Sequence, residues 1–412
     1  VTIVFLIIMG LERPSGRRYF SLARELVRQG HRVRVLALHP DLERCPRRRF
    51  VQEGVEVWYV GQMHARKRHG VTERYPAGRL LLVLAGAVFG MVRGVLASPA
   101  DVYHLGKPQP VNGVAALLAV GLLRRRRFYV DCDDDEATSS DFQAPWQRAV
   151  FAFWQRFLPR LAAGVTVNTH EMGTRLRRRA GAPLVYVPNG VDLAAYARPP
   201  AAVREGLRAA LGLRGRRVVA YSGTLTLHNH PVDLLLDAFA LLRRSVPDAA
   251  LLLVGDGRDT ARLREQAAAL GVAPHVRCTG YLPHAATRAY LALADLSVDP
   301  VCDNAVARAR SPLKLFESMA LGVPVLTGDV GDRALLLDHG RAGVLVRPGD
   351  AAALAEGMRA LLLDEGRREA LAQAARAHVQ QYDWAALAAR WLAVYAAEGA
   401  AHRHIQQTRT TQ

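Results

Sequence analysis

The 412-residue chain predicts an α/β protein of two Rossmann-like domains facing a central cleft, and three observations carry that expectation. Short β-branched runs alternate with amphipathic stretches from end to end, the βαβ pattern of a parallel, doubly wound sheet. The series restarts after Pro199-Pro200 and a polar, Arg-rich stretch over Arg204–Gly215. In each half the first strand runs straight into a Gly turn and a helix.

In the first half, strands are expected at Thr2–Ile8, Arg32–Leu38, Val55–Val60, Val102–Leu105, Phe128–Asp131, Gly164–Val167 and Leu184–Val187. Tyr19–Gln29, Val111–Leu123 and Trp146–Leu161 read as amphipathic helices between them. In the second half, strands are expected at Arg217–Ser222, Ala250–Val254, His275–Thr279, Leu296–Val298, Pro324–Thr327 and Val344–Val346. The predicted organisation is a first domain over 1–195, a second over 196–382, a helix over 383–398 and a frayed tail over 399–412. Trp384, Leu387, Trp391 and Tyr395 share one face of that last helix.

The opening run Val1–Met9 has neither a basic leader nor a small-residue cleavage site, so it reads as a strand. Leu80–Val92 is apolar for about 13 residues, short of the roughly 20 a bilayer span needs. It is expected to be a buried or interfacial helix in a chain that does not cross a membrane.

With 50% hydrophobic and 22% charged residues, the composition is globular rather than disordered. The net charge of +18 is unevenly placed: residues 1–200 carry +14 and the remainder +4. Only Lys67, Lys107 and Lys314 are lysines among 55 basic residues. Arginine of this kind follows from GC-rich coding, and where it replaces lysine freely, a surviving lysine marks a place that needs a compact ammonium. Cys45, Cys132, Cys278 and Cys302 show neither C-x-x-C pairing nor zinc spacing, as expected of reduced thiols in a cytoplasmic protein.

Open α/β sheets bind ligands beyond the carboxyl ends of their strands, so functional residues should lie in the loops that follow strands. Val187-Pro188-Asn189-Gly190-Val191-Asp192 closes the first half, and by itself reads as a tight turn. Ser222-Gly223-Thr224-Leu225 follows the first strand of the second half, where small residues let backbone N–H groups approach phosphate. Leu253-Val254-Gly255-Asp256-Gly257 is similar, and in both turns glycine also serves plain geometry. The most informative segment runs from Ser311-Pro312-Leu313-Lys314 through Glu317 to Gly322-Val323-Pro324. Lys314 and Glu317 lie one turn apart at a helix start, where a carboxylate accepts from a ribose diol and an ammonium favours phosphate. A surface ion pair is the plainer reading, and the scarcity of lysine speaks against it.

These motifs, with Thr279-Gly280-Tyr281-Leu282-Pro283 and the closing Tyr382-Asp383-Trp384, resemble in order and spacing the group 1, or family 4, retaining glycosyltransferases of the GT-B fold. The resemblance covers residues 1–398 and implies a second domain that binds a nucleotide-diphosphate sugar and a first that binds the acceptor, with the final helix crossing back to the first domain. It implies that Glu317 holds the ribose hydroxyls and that Gly223 and Thr224 face the diphosphate from one side, Ser15-Gly16 from the other. The base would lie near Gly255 and against Tyr281 and Leu282, and Ser311 would belong to the same donor site. No metal or other cofactor is expected, because the nucleotide sugar is a substrate.

Three departures from the family pattern follow. Its first glutamate, eight residues before Glu317, is Ala309 here, so a sugar-facing carboxylate is absent or supplied by a neighbour such as Asp303. A common Lys-Gly is His230-Pro231, so one phosphate cation is missing or replaced by a titratable imidazole, His230, at the donor site, with Lys314, Arg308 and Arg310 as the substitutes. A histidine after the fifth strand is replaced by Asp131-Cys132-Asp133-Asp134-Asp135-Glu136. In that run Asp133 or Asp134 would orient the acceptor hydroxyl or stabilise charge on the sugar. Equally, it reads as a solvated loop paired with Arg124–Arg127. An Asp131-x-Asp133 metal pair of the GT-A kind is a third reading, opposed by the second Rossmann-like half. His104 and Lys107 end another strand and are expected on the acceptor side.

Expected chemistry is retaining hexosyl transfer, in cell-envelope polysaccharide or glycolipid synthesis, with Lys314 and Arg310 stabilising the leaving diphosphate. A nucleotide-sugar 2-epimerase and an inactive sugar-nucleotide binding subunit are the rivals. Basic residues Arg13, Arg17, Arg18, Arg66, Lys67, Arg68 and Arg124–Arg127 suit an anionic membrane surface and a lipid-linked acceptor, placing the protein at the inner face of the cell membrane. No recognition helix, stacking motif or zinc spacing points to nucleic acid.

Overall fold

The computed structural model describes residues 1–68, 71–139, 144–177 and 181–409. Residues 410–412 of the expected tail, and the side chains of Lys67 and Arg68, lie outside the described residues. The chain divides into two compact units. The first comprises Val1–Pro188 with the chain from Trp384 onward, and the second comprises Asn189–Asp383.

The first unit is built on β1 (Thr2–Ile7), β2 (Arg32–His39), β3 (Arg49–Gln52), β4 (Val55–Gln62), β5 (Ala65–Arg68), β6 (Val71–Arg74), β7 (Val102–Gly106), β8 (Tyr129–Cys132), β9 (Gly164–Val167) and β10 (Leu184–Tyr186). Eight of these form one sheet in the order β10-β9-β8-β7-β1-β2-β4-β3, and β5 pairs with β6 alone. Neighbours are parallel except β3, which runs antiparallel to β4 along the edge. Ile3 to Ile7 are all fully buried, as a parallel strand covered on both faces requires. Helix Pro14–Arg28 packs with the C-terminal helix Trp384–Arg409, and Leu387, Trp391 and Val394 of the latter are buried. The C-terminal helix thus belongs to the first unit, and it continues past residue 398 to Arg409.

The second unit contains β11 (Arg217–Ser222), β12 (Ala249–Val254), β13 (Val276–Cys278), β14 (Leu296–Asp299), β15 (Val325–Gly328) and β16 (Val344–Val346). All are parallel, in the order β13-β12-β11-β14-β15-β16. That is the doubly wound Rossmann order, and it reverses direction between β11 and β14. One apolar layer centres on Leu235, Phe239 and Met358 and the other on Phe316, Met319 and Leu336, so the sheet is covered on both faces.

Candidate active site

The reversal between β11 and β14 leaves their carboxyl ends splayed, and the loops leaving both strands meet there. β11 runs into Ser222-Gly223-Thr224, and β14 ends at Asp299. Helix Leu313–Leu321 starts beside them and delivers Lys314 from its first turn. The Lys314 ammonium lies 3.1 Å from Asp299 Oδ1 and 4.0 Å from the centroid of the Tyr221 ring. A Cβ placed on Gly223 would stand 3.2 Å from the same nitrogen, so the ammonium sits directly on the Gly turn.

The turn itself is held from behind. Gly223 N–H donates to Val254 O at 3.0 Å, and Leu225 N–H donates to Asp256 O at 3.0 Å. At Gly255 a Cβ would fall 2.0 Å from the Gly223 carbonyl, and φ there is 142°, so only glycine fits. Gly255 therefore supports the Gly223 turn by close backbone approach.

Charge at this point is unbalanced. Asp299 is shared between Lys314 and Arg333, whose guanidinium approaches Asp299 Oδ2 at 3.0 Å. Burial opposes ionisation of Asp299, yet the two cations hold its carboxyl far below the ordinary range. Burial likewise opposes the Lys314 charge, and Asp299 and Tyr221 outweigh it, raising its pKa. Arg310 donates to the Asn229 carbonyl at 2.9 Å and to His230 Nδ1 at 3.5 Å. Burial, Lys314 and Arg310 push His230 down to about 2, so the imidazole is neutral at physiological pH. Arg310 and Arg333 line a cavity of about 120 Å³ together with His230, Asp299 and Asn304, and with Lys314 bound to Asp299 three permanent cations share the neighbourhood of one carboxylate. That surplus of two positive charges, at a turn with a helix N-terminus beside it, matches a diphosphate.

One turn further along the helix, Glu317 is buried and points elsewhere, with its carboxylate 3.7 Å from His284 Nε2. His284 in turn meets the Tyr196 hydroxyl at 3.3 Å. The loop before His284 carries Tyr281, 68% exposed, and Leu282, half-buried against the core. Lys314 and Glu317 therefore serve opposite ends of one helix face. Ser311 is buried, and its hydroxyl accepts from Asn189 N–H at 3.0 Å while Asn189 Nδ2 donates to Ser311 O at 2.7 Å. The Asn-Gly turn thereby fixes the entry of the Lys314 helix. Ala309 is fully buried, and its methyl group supplies no carboxylate at that position. Asp303 and Arg308 bind each other through two contacts of 2.6 and 2.8 Å at the surface. Thr224 is exposed at the turn, and its carbonyl accepts from the Tyr221 hydroxyl.

In the first unit, Gly16 lies in the first turn of helix Pro14–Arg28 against the Gly10 carbonyl. The acidic run after β8 is individually partnered, not solvated. Asp131 accepts from Arg18 at 3.2 Å, the Tyr19 hydroxyl at 2.9 Å and Thr166 Oγ1 at 2.6 Å. Its lone pairs are thus occupied by protein donors, which argues against the Asp131-x-Asp133 metal pair. Among the described residues no three His, Cys, Asp or Glu side chains converge as metal ligands. Lys107, in the left-handed region at φ 64°, contacts Glu136 and lies 3.5 Å from both Asp133 and Asp134. Asp135 pairs with Arg175 at 2.7 Å. Burial pushes Asp133 up to about 7, with Lys107 pulling down and Asp131 and Asp134 pushing up. His104 is fully buried among Phe5, Tyr129 and Trp391, 2.9 Å from the Tyr395 hydroxyl, and burial holds it neutral. It binds the last helix to the sheet instead of facing a ligand.

Sequence reasoning missed Asp299, Arg333, His284 and the anchoring role of Asn189. Each is a single residue without spacing signature, since Asp299 and Arg333 are 34 positions apart. Only the place of Asp299 at the end of a strand marks it in advance.

Comparison with known proteins fits this geometry. The family described as Glycosyl transferases group 1 matches residues 203–378, and the Glycosyl transferase 4-like domain matches residues 15–190. A curated relative from Mycobacterium tuberculosis, GDP-mannose-dependent alpha-(1-6)-phosphatidylinositol monomannoside mannosyltransferase, is 33% identical over 286 residues, 68% of this chain and 73% of that protein. Sucrose-phosphate synthase from Thermosynechococcus elongatus superposes with a TM-score of 0.76 at 18% identity, over 97% of this chain and 99% of that one. Anabaena HepE in complex with UDP-glucose gives 0.68 at 19% identity over 100% of both chains.

Proposed function

The chain belongs to the group 1 glycosyltransferases of the GT-B fold, and from that membership we propose a retaining enzyme whose donor is a nucleoside-diphosphate sugar held by the second unit. The observation that carries the reading is the Lys314 ammonium on the Gly223 turn at the strand-order reversal, with surplus positive charge around it. Lys314, Arg310 and the Gly223-Thr224 turn take the diphosphate. Glu317 takes the ribose hydroxyls, and Tyr281 and Leu282 the base. A GDP-mannose-dependent relative and a UDP-glucose complex of a similar fold support the donor class.

As the anomeric C–O bond to the diphosphate breaks, negative charge grows on the departing oxygen. Fixed cations placed where charge develops lower the barrier more than groups that must reorient. The acceptor hydroxyl enters on the same face and gives its proton to the departing phosphate oxygen. This route needs no carboxylate nucleophile, in keeping with the buried Ala309. Lys314 and Arg310 supply the charge that a metal would otherwise supply, so the reaction is proposed to need none. Asp133, Asp134 and Lys107 serve the acceptor. The M. tuberculosis relative is named for a phosphatidylinositol mannoside, which supports a lipid-linked acceptor at an anionic membrane surface.

Incubating the purified chain with a panel of nucleotide sugars tests the reading. At least one donor should release nucleoside diphosphate, and Lys314→Ala should slow the release by about 10²–10³-fold. Release by no donor, or an epimerised sugar nucleotide with no diphosphate freed, would reject it.

A further inference from the structure

In the first unit three neighbouring helical segments expose apolar side chains interleaved with arginines. Helix Ala77–Leu96 lies on β4 and β2 through Ala87, Met91, Gly94 and Val95. At Gly90 a Cβ would fall 1.9 Å from the Val60 carbonyl, so the helix rests backbone to backbone on the sheet. Its opposite stripe is uncovered, with Leu82 75% and Phe89 63% exposed. The segment Pro110–Leu123 touches this helix and exposes Leu118 and Leu122. Helix Pro145–Leu161 touches that segment and presents Trp146, Val150 and Phe153 at helical spacing, Trp146 being 64% exposed. Large apolar side chains exposed on three neighbouring helical segments mark an interaction site.

Charge identifies the occupant. Residues 77–96, 110–127 and 145–161 contain nine arginines and no acidic residue. Arg93, Arg125, Arg148, Arg156 and Arg160 among them are exposed. A second copy would set the same positive charges against themselves. An anionic lipid surface offers both an acyl boundary for the stripes and phosphates for the guanidiniums. By length and composition helix Ala77–Leu96 is able to span a bilayer, but its inner stripe is buried on β4, and spanning would strip it from the sheet.

We propose that these three helices form a membrane-docking face that lies in the plane of an anionic bilayer, with Leu82, Phe89, Trp146 and Phe153 entering the acyl boundary. This deepens the lipid-linked acceptor reading and rests on it for its purpose. Adsorption by the basic patch alone would be purely electrostatic. The apolar stripes add a term that salt does not screen.

The 412-residue chain should float with vesicles containing phosphatidylglycerol far better than with phosphatidylcholine alone. Bromine on the acyl chains should quench its tryptophan fluorescence. The double variant Phe89→Ser, Phe153→Ser should lose about a hundredfold in partition, roughly tenfold for each aromatic kept in water, with an unchanged melting curve. Flotation without bromine quenching would reject insertion in favour of surface charge. Absence of flotation, with either a monomer or a dimer in sedimentation, would reject the proposal, the dimer pointing to a second copy. Donor hydrolysis measured without vesicles reports on the transferase reading alone, so the two readings fail separately.

Discussion

The Lys314 ammonium stands 3.1 Å from the Asp299 carboxylate, which Arg333 also binds at 3.0 Å. One carboxylate therefore positions two cations without neutralising both. On the proposed reading, an incoming diphosphate would meet an ammonium already fixed in place, with no side chain to be recruited.

Lys314→Ala should accordingly separate catalysis from folding. Loss of one fixed donor to a developing anion costs about 10²–10³ in kcat. Arg333 still binds Asp299 in the variant, so stability should fall by only about 2 kcal/mol. Lys314→Arg should not rescue the rate, because a planar fork does not fit where a Cβ on Gly223 would be 3.2 Å from Nζ. Single-turnover rates and urea midpoints measure the two effects.

Asp299→Asn should do the reverse, damaging the fold first. It leaves Lys314 and Arg333 buried without a counter-charge, a loss of about 3–5 kcal/mol. Because the folded carboxyl is held below its unfolded value, its stabilisation is complete above about pH 4 and fades as pH falls through the lower folded value. Denaturant midpoints of wild type and variant should therefore differ by a constant amount near neutrality and converge in acid.

The parallel sheets were legible because buried strands such as Ile3–Ile7 and Ala249–Val254 are unbroken apolar runs. Strands Arg49–Gln52, Ala65–Arg68 and Val71–Arg74 were not expected, because they are short and rich in charge and show no alternating pattern. The scarcity of lysine did pick out Lys107 and Lys314, both of which the fold surrounds with carboxylates or an aromatic ring. It could not name those carboxylates' other partners, since pairing across a sheet depends on strand order. His104 misled for the opposite reason: a strand-end histidine looks the same in sequence whether it meets a ligand or Trp391.

Asn189 offers a test of positioning. Its side chain and backbone both reach Ser311, three residues before Lys314. Asn189→Ala removes the 2.7 Å bond to the Ser311 carbonyl and frees the helix entry to shift. KM for the donor and the dissociation constant of the nucleoside diphosphate should rise together, about five- to tenfold for a bond of roughly 1 kcal/mol. A change in kcat alone would place Asn189 in the chemistry instead. Calorimetric titration beside initial rates distinguishes the two.

Asp133 carries the clearest pH signature in the first unit. Burial raises its pKa to about 7, against about 4 when unfolded. Between those values the folded chain binds a proton that the unfolded chain has released, so stability falls as pH rises through this window and levels off above it. Asp133→Asn should remove that decline, making the variant the more stable form above neutrality while Lys107 keeps its contact with Glu136. If the ionised carboxylate also orients the acceptor hydroxyl, kcat/KM for the acceptor should climb with an apparent pKa near 7, and the climb should vanish in the variant. Urea unfolding across pH 4–8 reads the first effect and acceptor kinetics over the same range the second. A decline in stability that persists in the variant would assign the titration to another group.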